Sequence, residues 1–370
     1  MRFDTIPYME WSKIGADTLN PDHLNLAGSG MPPLIATLAD LGIDAGELPL
    51  AGAHGYGYAP LREAIAERYG VHAENVLISQ GTSMANFLVL AVQLNPGDVL
   101  LVETPVYECI SYPARALGAR IVPFERKEED GWKLNIEEMV SLAYATGARG
   151  LVLSNPHNPS GAFSSDADLI RLAEGTGKER FVLVDEVYRE GRVNQAGRTC
   201  AMKAPNLYTT SSLTKVWGLG DLRAGWAIAA HDVVRSGYRA YDNLGVINPF
   251  PMEWLTHRIF TREELIGGLR EKGLAVVDEA RAHVNRFLSK RASGKRIKAV
   301  MPDGGGFAIW RIDGINGDSL AKRLYEEEGV IVVPGSFFGV PAHIRVAWTA
   351  GAEPVVQGLH RIDRWMSKNL

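Results

Sequence analysis

Four short apolar runs, at residues 150–153, 181–184, 207–210 and 225–229, constrain this chain more than any other feature. Three of them are apolar along their whole length rather than at alternate positions, the run at 207–210 ends in two threonines, and segments long enough for a helix or a broad crossover separate them. Strands of that kind are buried on both faces, which predicts a mostly parallel sheet with helices on either side. Three of the runs lead directly into polar residues: Asn155, Asp185 and the pair Ser211-Ser212. In open α/β sheets ligands bind just beyond the carboxyl ends of the strands, so one pocket can collect all of these side chains.

The remaining pattern extends this plan. Residues 61–69 and 82–94 read as helices, and 99–102 and 120–124 as further strands. From about Pro251 the character changes. A helical tract, expected to break near residues 267–273, runs towards Ser289. Strands at 297–301 and 306–312, a helix at 319–328, a strand at 343–348 and a closing helix at 354–366 follow. The expected architecture is a three-layer α/β/α large domain over residues 46–250 and a smaller α+β C-terminal domain over 251–370. The N-terminal segment 1–45 is expected to join the small domain and to reach the substrate site.

Composition narrows the function classes. A chain of 370 residues is long enough for two cores. A net charge of -4 offers no basic field for nucleic acid or an anionic membrane surface, and no 18-residue apolar run is present. Cys109 and Cys200 form neither a disulfide framework nor a metal-ligand pattern, and the nine histidines show no zinc-type clustering. The expectation is a cytoplasmic protein without a metal.

Lys215 closes the run Thr-Thr-Ser-Ser-Leu-Thr-Lys, and Arg223 follows eight residues later. A lysine on a hydroxyl-rich turn with an arginine at short range is suited to holding a phosphorylated aldehyde covalently while neutralising its phosphate. Gly81-Thr82-Ser83 opens a predicted helix, where free amides and two hydroxyls can face an anion. Asp185, at the end of a buried strand, can keep a heteroaromatic nitrogen protonated. Each feature alone has an ordinary reading, as an exposed turn, a helix cap or a polar strand end.

Taken together with Ser154-Asn155-Pro156-His157-Asn158-Pro159-Ser160-Gly161 and Asp185-Glu186-Val187-Tyr188, these blocks resemble the fold-type I pyridoxal phosphate enzymes, in particular the class I/II aminotransferase family. The resemblance runs from just after Pro60 to Trp348. It implies pyridoxal 5'-phosphate as cofactor and Lys215, Asp185 and Tyr188 as catalytic residues. Cofactor contacts would come from Gly81, Thr82, Ser83, Tyr107, Asn158, Asp185, Tyr188, Ser212, Lys215 and Arg223, with Tyr107 stacked on the ring. Gly30, Asn158 and Arg345 would bind the substrate, Arg345 through its α-carboxylate. The implied reaction moves an amino group from an L-amino acid to a 2-oxo acid by a ping-pong route, in a homodimer whose active sites form at the subunit boundary.

Alternatives within the same chemistry are a C–S β-lyase, a racemase or a specialised amino-acid-modifying enzyme. A non-catalytic regulatory module is a further one, against which the intact Lys215, Asp185 and Arg223 argue. Two departures from the family pattern stand out. Gly52 occupies the place of the usual phosphate-reaching tyrosine, leaving His54 or Tyr56 as substitutes, and Asp221 lies close to the phosphate arginine. Trp11, His54, Tyr56, Trp217, Trp310 and Phe338 are candidates for an apolar wall, and no second arginine is evident for a side-chain carboxylate. Aromatic or medium-sized neutral amino acids are the expected substrates.

Overall fold

The structure, a computed structural model, describes residues 4–17, 22–35, 37–292 and 296–370. In chain order its first part comprises α1 (Pro7–Asp17), β1 (Leu24–Asn25), α2 (Ala59–Tyr69), β2 (Val76–Gln80), α3 (Gly81–Gln93), β3 (Val99–Thr104), α4 (Glu108–Ala116) and β4 (Arg120–Glu125). There follow α5 (Ile136–Thr146), β5 (Gly150–Ser154), α6 (Asp166–Thr176), β6 (Phe181–Asp185), β7 (Leu207–Ser212), β8 (Ala224–Ile228) and α7 (His231–Asp242). The last part contains α8 (Phe250–Phe260), α9 (Glu263–Ala292), β9 (Ile297–Ala299), β10 (Phe307–Ile312), α10 (Gly317–Glu328), β11 (Val330–Ile331), β12 (Val333–Pro334), β13 (His343–Ala347) and α11 (Ala352–Asn369).

The main sheet has the strand order β2-β8-β7-β6-β5-β3-β4, parallel throughout except for β8, which runs antiparallel to both neighbours. Alternate residues of each strand feed two cores. Leu100, Val102, Val152 and Leu183 pack with Leu88 of α3 and Val234 of α7. Their neighbours Leu101, Leu151, Leu153, Val182 and Val184 pack with Met139 of α5 and Leu169 of α6. Three layers follow, because a strand apolar at every position needs cover on both faces. Local signals set the ends of the covering helices: Ser165 and Asp168 form a reciprocal capping box at the start of α6, and Gly147 closes α5 in the left-handed conformation.

A second body is built on the antiparallel sheet β12-β13-β10-β9, and β1 reaches it by pairing in parallel with β11. Leu26, just after β1, joins the apolar cluster of Trp310, Trp348 and Trp365. Beyond residue 250, where the second part of the chain is expected to begin, the packing is shared between the two cores. Met252, Ile259 and Phe260 of α8, with Ile266 and Leu269 of α9, pack with Trp226 and Ile228 of the main sheet. Val277, Ala280 and Val284 further along α9 belong to the second core. The break expected at residues 267–273 is absent: α9 is continuous, and the interruption falls before it, at residues 261–262. Gly273 instead permits contact, since a Cβ there would lie 2.7 Å from the Val216 carbonyl oxygen.

Candidate active site

The polar residues following β2, β3, β5, β6 and β7 converge on a cavity of about 450 Å³. Its lining includes Thr82, Ser83, Tyr107, Asn158, Asp185, Tyr188, Ser212, Lys215 and Arg223, so nine of the residues singled out in the sequence share one space.

At one end the hydroxyls of Thr82 and Ser212 lie 2.8 Å apart beside the first turn of α3. Backbone packing makes this corner. Gly225 on β8 faces the Gly81 carbonyl carbon, which a Cβ at residue 225 would approach to 2.4 Å. Gly81 itself has φ +79°, and a Cβ on it would meet Arg223 Nη2 at 2.3 Å. Arg223 is exposed, and among the described residues it donates to carbonyl oxygens alone, those of Gly220 and Gln80. The corner thus combines a cation without a carboxylate partner, two hydroxyls and the amides of a helix start. Asp221 is exposed.

At the other end is Asp185, at the end of β6. Burial pushes its carboxyl up to about 6, against the opposing effects of Asn86, the Val187 amide and Lys215. Asn86 Nδ2 donates to Asp185 at 2.9 Å, and Thr210 fixes that amide by donating to Asn86 Oδ1 at 2.6 Å. Asn86 lies one helical turn beyond Thr82, so a single face of α3 serves both ends of the cavity.

Lys215 lies between them. Its Nζ is 3.5 Å from Ser29 Oγ, and that hydroxyl is 2.8 Å from Tyr188 Oη. Gly30 faces the lysine stem, with space such that a Cβ would sit 3.2 Å from Lys215 Cδ. Asn158 Nδ2 reaches towards Tyr188 Oη at 3.5 Å, while its Oδ1 accepts from Arg345 Nη1 at 2.9 Å. Arg345, on β13, is fully buried and enclosed by the rings of Tyr8, Phe307 and Phe338 at 5.2–5.4 Å.

The loop carrying Asn158 is fixed from beneath. Glu103, buried at the end of β3, accepts from the Ser154 amide and hydroxyl, both at 2.7 Å, and pairs with buried Arg126 at 2.7 Å. Ser154 Oγ in turn accepts from the Asn158 amide at 3.0 Å. His157 is held neutral, its pKa pushed well below the usual value by burial and by Arg126.

Gly52 has no room for a side chain, because a Cβ would fall 2.0 Å from the Phe250 ring. Both ring nitrogens of His54 face carbonyl oxygens, of Gly52 and Asn248, whereas Tyr56 is 57% exposed. Trp11 lines a second cavity beside Lys215, but Trp217 and Trp310 are buried in the two cores and take no part in the site. Phe338 lies behind Tyr8, with ring centroids 5.9 Å apart. Asn86, Ser29, Tyr8, Glu103 and Arg126 were not singled out in the sequence. Only Asn86 carries a legible signal, its spacing of four from Thr82.

A profile of the family described as aminotransferase class I and II matches residues 50–359. The chain belongs to that family. It is a pyridoxal-phosphate-dependent aminotransferase. The arginine–pyruvate transaminase of Pseudomonas aeruginosa is 31% identical to this aminotransferase over 327 residues, covering 83% of this chain and 80% of the relative. A histidinol-phosphate aminotransferase of Symbiobacterium thermophilum is 28% identical over 299 residues, covering 77% and 75%. Among solved structures, the aspartate aminotransferase of Thermus thermophilus with maleate superposes with a TM-score of 0.88 at 21% identity, covering 98% of this chain and 97% of the other.

The observed cavity fits the cofactor. The carboxylate-free cation of Arg223 with the hydroxyls of Thr82 and Ser212 suits a phosphate, and the buried Asp185 carboxyl suits a cationic ring nitrogen.

Proposed function

We propose that this aminotransferase takes amino acids with neutral, predominantly apolar or aromatic side chains as donors. The observation carrying this reading is the second cavity, of about 240 Å³, which adjoins the first across Met9, Tyr107 and Lys215. Its walls include Tyr8, Met9, Trp11 and Tyr107, and among the described lining residues Lys215 is the one cation. Trp11 Nε1 and Ser12 Oγ are already engaged, with the carbonyls of Val332 and Met9. A side-chain carboxylate placed there would lose its hydration with Lys215, the base that removes the α-proton, as its one lining cation, at a cost of several kcal/mol.

When bound, pyridoxal phosphate supplies a conjugated ring that takes up the electron pair released at the substrate α-carbon. The chain's own residues do the rest. Lys215 Nζ is the base that removes the α-proton, on a cavity floor fixed by Ser29 and Tyr188. Arg345 binds the α-carboxylate and so sets the direction of the α C–H bond. Asn158 links that arginine to Tyr188, and Asp185 supplies the negative charge that a protonated ring nitrogen requires. Thr82, Ser83, Ser212 and Arg223 would hold the phosphate, and Tyr107 would supply an aromatic face for the ring.

The test is single-turnover release of 2-oxo acid from a panel of donors. Phenylalanine, leucine and methionine are expected to exceed aspartate and glutamate at least about 10-fold in kcat/KM, a difference of about 1.4 kcal/mol. Preference for the acidic donors would overturn the reading. The names of the Thermus thermophilus relatives include aspartate, which makes acidic donors the second reading.

The reading includes a homodimer. Leu50 and Tyr56 in one loop, and Leu244, Val246 and Ile247 in another, are 44–81% exposed. His54 joins the two loops through the Asn248 carbonyl. Exposed apolar side chains on two joined loops fit a second copy. Exposed Tyr56, rather than the engaged His54, is then the residue free to reach across the boundary.

A further inference from the structure

We infer that the phenol of Tyr8 is a second ligand of the substrate carboxylate, donating its O–H to the group that Arg345 grips. The inference rests on the reading of Arg345 as the carboxylate arginine, and it adds to it a residue from a different part of the chain.

Tyr8 stands in the first turn of α1, far in sequence from every motif of the site. Several contacts hold it there. Its amide donates to Glu108 at 2.9 Å, and its ring meets Tyr107 edge-on at 5.0 Å and Phe338 at 5.9 Å. The neighbouring Trp11 anchors α1 through its bond to the Val332 carbonyl at 2.8 Å. The ring is buried, yet Tyr8 lines the 240 Å³ cavity together with Lys215, Gly28 and Gly30.

The hydrogen-bond inventory defines what is left over. Tyr8 Oη accepts from Arg345 Nη2 at 2.9 Å, and among the described residues no acceptor takes its own proton. Arg345 has five N–H groups. Nη2 donates to Tyr8 and to the Ala27 carbonyl at 2.6 Å, and Nη1 donates to Asn158. Among the described residues, Nε is buried without a partner and one Nη1 hydrogen has no acceptor. A donor shortage is therefore not the problem in this corner. It holds surplus donors around a guanidinium and lacks an acceptor. A carboxylate supplies acceptors, and a phenol polarised by a guanidinium is a good donor to it. Burial alone would raise the Tyr8 pKa, but the charges of Arg345 and Lys215 and the Arg345 hydrogen bond outweigh it, so the phenol is more acidic than usual.

The experiment uses the cofactor-loaded enzyme and its Tyr8→Phe and Arg345→Lys variants. Calorimetry measures 3-phenylpropionate, which has the carboxylate but no reacting amine. Kinetics compare L-phenylalanine with 2-phenylethylamine, which has the amine but no carboxylate. Tyr8→Phe keeps the ring packing, so the variant is expected to melt with the native protein. It is expected to bind 3-phenylpropionate about 10-fold more weakly and to raise KM for L-phenylalanine similarly, with a smaller change in kcat and in the KM for 2-phenylethylamine.

A pH series adds a signature that packing alone would not produce. The gap between native and Tyr8→Phe affinity should close as the phenol loses its proton in alkaline solution. Arg345, Lys215, Cys109, Glu108 and Tyr107 are the charged or titratable groups that surround it. If Arg345→Lys weakens 3-phenylpropionate and Tyr8→Phe does not, the role of Tyr8 is overturned and that of Arg345 stands. If neither variant weakens it, or the native enzyme does not bind it, both are overturned.

Discussion

Asp185 shows how a single residue trades stability for chemistry. Its folded pKa of about 6 lies above the ordinary unfolded carboxylate value of about 3.9, because burial disfavours the charged form. Folding of the cofactor-free chain therefore favours the protonated carboxyl. That contribution is complete below pH 4 and is lost as pH rises through 6. At pH 7 the ionised carboxylate leaves the native state up to about 3 kcal/mol short of an uncharged isostere, at about 1.4 kcal/mol per pKa unit. Urea unfolding should find cofactor-free Asp185→Asn more stable than the native chain at pH 7, with the gap shrinking towards pH 4. The same variant should bind pyridoxal phosphate more weakly, since on the proposed reading the ionised carboxylate faces a cationic ring. Residues of this kind are legible in sequence when the chemistry sits next to a strand end, as with Asp185, Asn158 and Lys215. Ser29 and Tyr8 are not legible, because an ordinary N-terminal serine or tyrosine acquires a role only when β1 pairs with β11 and carries its neighbours across the molecule.

At the level of elements, the site depends on the ends of β3, β4 and β5 being locked together. The Glu103–Arg126 pair is buried, burial raising the pKa of the acid and lowering that of the base, and each carries further hydrogen bonds to Ser154. Removing one partner of such a pair strands the other, at about 3–5 kcal/mol. Arg126→Met should lower the urea stability by about that amount. The double variant Glu103→Leu with Arg126→Met should regain more than half of it, because neither charge is then left unpaired. Catalysis should not recover in parallel, since Ser154 loses the acceptor that aims it at the Asn158 amide. We expect kcat to stay about 10-fold down in the double variant, and recovery of kcat along with stability would show the pair to be purely structural. The strands themselves were readable from their apolar runs. Their cross-connection was not, because residues separated by 23 and 51 positions meet only through the strand order β5-β3-β4. The unbroken α9 was misread for a related reason: Gly267, Gly268 and Gly273 signal a break locally, while packing on both sides keeps the helix continuous.

For the whole molecule, the exposed loop pair around Val246 predicts the assembly. Light scattering should give twice the chain mass for the native protein, and Val246→Asp should shift it towards the monomer with reduced cofactor retention. A monomeric native enzyme with full activity would remove both the dimer and the role of Tyr56. One feature of the fold reaches further. Helix α9 is about 45 Å long at 1.5 Å per residue, and it is packed into one core at its start and the other beyond Val277. The two bodies are therefore joined by a beam rather than by a flexible cord. A movement of Arg345 towards Lys215 would bear on that helix, which passes from one core into the other. The glycines at 267, 268 and 273 lie where any bending would concentrate. The catalytic cycle of this enzyme would then be tuned by the stiffness of a helix that touches no substrate.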